Sequence, residues 1–82
     1  MIPSNPGQQL KQLFLVERNL TIAQAAAIAK CTPRAMAAIF NGEQHLTVDN
    51  ALAIEKATGL SAERIINQQI DWQFYVARSL QS

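Results

Sequence analysis

Only one cysteine, three glycines and three prolines occur in 82 residues, and aromatic side chains make up 6%. A lone thiol excludes an internal disulfide, so the fold cannot depend on a covalent staple. The scarcity of glycine and proline, together with the lack of β-branched runs of alternating polarity, argues against a disordered or all-β chain. No apolar run approaches the ~18 residues needed to cross a bilayer, and no charged-then-apolar leader opens the chain. The expected location is the cytoplasm, with no membrane partner. Seven Lys and Arg against six Asp and Glu leave a formal net charge of +1. A general excess of cations, of the kind that holds proteins nonspecifically on phosphate, is therefore missing. Any nucleic-acid contact must come from a few placed residues.

Groups for chemistry are equally sparse. There is no pair of carboxylates, no Ser/His/Asp set and no glycine-rich phosphate loop. His45 is the only histidine and has no second ligand type at metal spacing. Cys31 stands where an apolar residue should close a turn between helices, which reads as a small core residue. No enzyme, metal site or cofactor is implied.

What the chain does have is hydrophobic residues, 49% of the total and rich in alanine, arranged in five helical segments. After a tail at residues 1–4, Asn5-Pro6-Gly7-Gln8 opens a helix expected to reach about Arg18, with Leu10, Leu13 and Phe14 inward and Leu15 and Val16 widening the stripe. Leu20, Thr21, Gln24 and Ala25 form a capping box with a staple, opening a second helix whose Ile22, Ala25, Ala26 and Ala29 share a face. A joint as short as Lys30-Cys31 forces the helix that starts at Thr32-Pro33 to cross the second steeply. That pair is a helix-turn-helix. In the third helix Met36, Ile39 and Phe40 point inward, while Arg34, Ala38 and Asn41 point outward with Ala35 and Ala37 on the flanks. Thr47 caps a fourth helix that ends at Gly59, and Ser61 caps a fifth that starts at Ala62 and carries Ile65, Ile66, Gln69 and Ile70 in its first part and Trp72, Phe74, Tyr75, Val76 and Leu80 in its second. The core expected from this pattern is Leu10, Leu13, Phe14, Ala26, Ile28 or Ala29, Met36, Ile39, Phe40, Leu46, Leu52, Ile54 and Ile65.

The segments "NPGQQLKQLFL", "LTIAQAAAIAKCTPRAMAAIFNG" and "LTVDNALAIEKATGLSAERIINQQ" resemble the Cro/C1-type helix-turn-helix group and, more narrowly, the HigA-type antitoxins of bacterial toxin-antitoxin modules. The resemblance runs from Asn5 to about Phe74. It implies an all-α, five-helix, lambda-repressor-like fold, with residues 1–82 forming a single DNA-binding domain. It also implies a transcriptional repressor that binds a double-stranded operator, regulates its own operon and meets a cognate toxin. The third helix would lie in the major groove, and the start of the second would donate to a phosphate. This chain departs from the group on that surface: Ile22 stands where Gln is usual, and Ala35, Ala37 and Ala38 where polar residues are usual. Glu43-Gln44-His45 replaces the Lys or Arg often found after Asn-Gly.

On the DNA-binding reading, Arg34 contacts a guanine, and Thr21, Thr32 and Asn41 hold phosphates. Ala35 or Ala38 meets a thymine methyl, and Lys30 and His45 add contacts at the edges. The alternative reading is a degenerate DNA face that works only in protein-protein contact, by neutralising a toxin or by oligomerising. The fifth helix, over residues 62–80, carries more large apolar groups than one small core needs. Ile70, Trp72, Phe74, Tyr75 and Val76 are accordingly expected at a homodimer interface.

Overall fold

The computed structural model of the chain describes residues 5–81, so the tail expected at residues 1–4 lies outside the described residues. Regular structure among them is entirely helical. The order is α1 (Pro6–Lys11), continued without a break by a wider π-helical segment (Gln12–Glu17), then α2 (Ile22–Ala29), α3 (Pro33–Phe40), α4 (Val48–Thr58) and α5 (Ala62–Gln81). The five-helix, all-α expectation holds.

Each helix starts where its side-chain chemistry says it should. The Asn5 carboxamide oxygen accepts from the Gly7 N–H at 3.0 Å, and Thr21 and Gln24 exchange hydrogen bonds of 3.1 and 2.8 Å in the expected capping box. Thr32, Thr47 and Ser61 accept from the amides of Ala35, Asn50 and Arg64. Each cap satisfies an otherwise orphaned N–H and contributes about 1 kcal/mol.

The helix ends are less regular. α2 and α3 both close with a left-handed residue, Lys30 at φ 58° and Gly42 at φ 79°. In each case the following amide bonds back across the last turn, Cys31 N–H to Ala26 O at 3.0 Å and Glu43 N–H to Ala38 O at 2.9 Å.

The core gathers Phe14, Met36 and Ile54, all fully buried, around the alanines of α2. Ala25, Ala26 and Ala29 are buried too, and their small size lets α2 lie close to α3 and α4. Phe14 meets Phe40 edge to face, with ring centroids 6.5 Å apart. Burial of each large side chain contributes about 1.5 to 3 kcal/mol.

Several expectations need correction. The first helix widens after Lys11, and its last amide bond runs from Arg18 N–H to Leu13 O, five residues back. With more residues per turn, the consecutive Leu13, Phe14 and Leu15 fall within a narrower arc, and all three reach the core while Val16 stays exposed. Leu52 is 49% exposed because α4 turns Ala51 and Ile54 inward instead. Ile22 is exposed as well; the buried face of α2 begins only one turn later, at Ala25. The fifth helix reaches Gln81.

Two contacts fix the third helix in the body. A Cβ on Gly7 would overlap the carbonyl oxygen of Ile39, so the start of α1 approaches the end of α3 as closely as only glycine permits. Gln69 of α5 is buried and grips the backbone of Leu46 twice. Its Oε1 accepts from the Leu46 N–H at 2.8 Å, and its Nε2 donates to the Leu46 carbonyl at 2.9 Å.

Candidate nucleic-acid interface

The two threonines at the helix starts are built for outward donation. Thr21 and Thr32 are exposed, and each hydroxyl oxygen accepts from a backbone amide of its own helix. That leaves the hydroxyl proton to point at an acceptor such as a phosphate oxygen. Thr47 differs, because its hydroxyl donates to Asn50 Oδ1 at 2.9 Å and is thereby occupied.

α3 has the two faces expected of it. Met36, Ile39 and Phe40 are buried, Arg34 and Asn41 are exposed, and Ala35, Ala37 and Ala38 are half-buried. The outward surface is thus a shallow methyl floor with a guanidinium at one end and a carboxamide at the other. Lys30, exposed in the turn before α3, adds a second cation on the same helix-turn-helix unit. His45 is exposed in the loop that follows α3, beside Gly42 and Trp72 around a small hollow. Its backbone path is set by Leu46, the residue that Gln69 holds.

Lys30 and Thr32 therefore stand in the turn before α3, with Arg34, Ala38 and Asn41 on its outward side and Ala35 on the flank. Thr21 lies at the far end of α2, about 12 Å away along the helix axis at ~1.5 Å per residue. Asn50 ties the end of α2 to the start of α4, its Nδ2 donating to the Ala29 carbonyl at 2.8 Å. Sequence reasoning passed over Asn50, the grip of Gln69 on Leu46 and the close packing at Gly7. Of these, only the glycine left a signal, as the small residue in "NPG" where a helix start meets another helix.

Cys31 behaves as a core residue. Its thiol lies 4.0 Å from the Met36 sulfur, it packs against the central cluster, and burial pushes its pKa up from that of an ordinary thiol. That shift disfavours the reactive thiolate. Among the described residues no group of three or more His, Cys, Asp or Glu could hold a metal ion, and no helix is long and apolar enough to cross a membrane.

A helix-turn-helix family model matches residues 10–65, more than half of the chain and all of the unit just described. The chain belongs to the helix-turn-helix family. Three solved helix-turn-helix structures share its architecture. One, from Nostoc punctiforme, is described as an antidote protein of a plasmid maintenance system; it is 23% identical, with a TM-score of 0.88 over 99% of this chain and 88% of that one. An addiction module antidote protein of the HigA family from Coxiella burnetii is 27% identical, with a TM-score of 0.82 over 94% and 84% of the two chains. A Pseudomonas aeruginosa protein in complex with its 18-bp operator DNA is 24% identical, with a TM-score of 0.85 over 98% and 86%. No curated protein matches the chain significantly.

Proposed function

We propose that this helix-turn-helix protein is a DNA-binding repressor, the antitoxin of a bacterial toxin-antitoxin module that regulates its own operon. The observation that carries this reading is the likeness to an operator-bound structure over 98% of the chain, joined to an α3 whose outward face carries Arg34 and Asn41. Two further structures of the same architecture are named as antidotes, and that supports a cognate toxin as the protein partner.

In the complex, α3 enters the major groove, and Arg34 makes a bidentate contact with a guanine. Thr21, Thr32 and Asn41 donate to phosphates, Ala35 or Ala38 lies against a thymine methyl, and Lys30 and His45 make edge contacts. The protein acts as a homodimer in the cytoplasm, through the apolar surface of α5 around Ile70, Trp72, Phe74, Tyr75 and Val76. Among these, Phe74 is 55% and Ile70 40% exposed, more than one small domain usually leaves to water. A repressor of this kind has no catalytic role.

The half-buried alanines of α3 favour one competing reading, in which the same face meets only protein, because small residues let another helix approach closely. A mobility-shift titration against the DNA upstream of the gene, run at two salt concentrations, separates the two. A shift that weakens as salt rises supports the repressor. If no shift occurs while the neighbouring gene product still binds, the protein-only role stands.

A further inference from the structure

The second half of α5 is unlike the first. Ala62, Ile65 and Gln69 are buried, whereas no residue of the helix beyond Gln69 is. At ~100° per residue Ile70, Phe74 and Ala77 form one stripe along this outer half. Between Ile65 and Gln81 only Asp71 and Arg78 are charged, and both are exposed. They are seven residues apart, close to two full turns, so both stand on the same flank of the stripe. Arg78 is held at its edge, with the guanidinium carbon 5.2 Å from the centre of the Phe74 ring.

This charge pattern selects a geometry. In an antiparallel pair of identical helices each flank meets its own counterpart, and positions equally far from the two-fold axis face each other. An axis passing between Phe74 and Tyr75 brings position 71 of one copy opposite position 78 of the other. The opposite charges then pair twice, once on each side of the axis. A parallel pair instead sets this flank against the opposite one, where Gln73 and Leu80 carry no charge.

We infer that α5 docks on a second copy of this chain as an antiparallel pair, with Asp71 of each subunit bonded to Arg78 of the other and the two Phe74 rings packed at the centre. The inference rests on the homodimer proposed above, narrows its surface to the stripe of Ile70, Phe74 and Ala77, with Trp72 and Val76 on the side of α5 that continues its buried face, and assigns its register. The apolar stripe provides the attraction, and the flanking charges fix direction and register: a reversed pair leaves Asp71 and Arg78 without charged partners, and an antiparallel pair slid by two turns sets Asp71 against Asp71 or Arg78 against Arg78.

The test uses two single variants of the full chain, Asp71→Arg and Arg78→Asp, with mass measured by light scattering across a concentration series and helicity checked by circular dichroism. Each variant alone should dimerise at least about tenfold more weakly than the parent, because its pair now sets like charges together at both places. Mixed in equal amounts, the two should form a heterodimer with close to parental affinity, since each position 71 then faces its opposite charge at position 78. Singles that dimerise as well as the parent, or a mixture that stays as weak as its components, would overturn the antiparallel register while leaving the homodimer intact. A parent chain that is monomeric throughout would overturn the homodimer itself and assign the stripe to another protein.

Discussion

Arg34 carries a disproportionate share of the specificity in the proposed complex, since Asn41 is the only other exposed residue of the α3 surface with a side-chain N–H to offer. Arg34→Ala should weaken specific DNA binding by about 1 to 3 kcal/mol, the range for a good bidentate contact, and leave the melting temperature unchanged because the residue faces solvent. Ala38→Glu should act in the same direction by setting an anion against the phosphates. If α3 docks only on protein, the pattern inverts: Ala38→Glu breaks partner binding and Arg34→Ala does little. Titrating both variants against DNA and against the neighbouring gene product distinguishes the two. The outward Arg34 and Asn41 and the inward Met36, Ile39 and Phe40 were legible in the sequence, because helical spacing alone sorts them. The backbone of Lys30 was not, since nothing in the residue's identity announces φ 58°. A left-handed conformation strains any side chain with a Cβ, and glycine is the ordinary solution at such a turn. Lys30→Gly should therefore raise stability by about 0.5 to 1 kcal/mol, a few degrees in Tm, while weakening DNA binding through loss of the cation. A denaturation curve and a binding titration on the same variant read the two opposite signs, and an unchanged DNA affinity would show that Lys30 is only a turn residue.

Caps mark helices from within a few residues, so the starts of α1 to α5 could be located from Asn5, Thr21, Thr32, Thr47 and Ser61 alone. What holds one element to another is spread along the chain and escapes such rules. Gln69 is 23 residues from the backbone it grips, and in the sequence it looks like one more polar position on a helix. The π-helical segment is similarly hidden: the pattern Leu13-Phe14-Leu15 signals an apolar surface without saying how wide the turn beneath it must be. The consequence for function lies in the loop between α3 and α4, which carries His45 and is anchored by Gln69 at Leu46. Gln69→Leu fills the same space but leaves the Leu46 N–H and carbonyl without partners, each such loss costing about 1 to 3 kcal/mol. The expected loss of stability is about 2 to 6 kcal/mol, read as a lower denaturant midpoint with little change in slope. DNA affinity should also fall when measured at a temperature where the variant is still folded. If it does not, the loop contributes nothing to the interface.

Taken whole, the molecule is nearly neutral, with a formal net charge of +1, and this sets how it must hold DNA. Strongly basic binders gain affinity by releasing many counterions, with log K falling against log salt at a slope of about −0.9 for each phosphate neutralised. In the proposed interface the threonines and Asn41 are neutral donors and Arg34 is directed at a base, so Lys30 is the one residue assigned a charged contact with the backbone. Two subunits then neutralise about two phosphates, or about four if Arg34 also sits near enough to displace a counterion. The expected slope is about −2 to −4 for the dimer on its operator. Such shallow dependence places the burden of discrimination on shape and on the fixed spacing between the two copies of α3, which only a rigid pairing of subunits supplies. Binding isotherms at several salt concentrations test this directly. A slope much steeper than −4 would mean that cations outside the helix-turn-helix unit reach the backbone, with Lys11, Arg18, Lys56 and Arg64 the ones to mutate next. A Lys30→Gly dimer should lose close to −2 from the slope, one phosphate per subunit, and that difference ties the salt dependence to a single side chain.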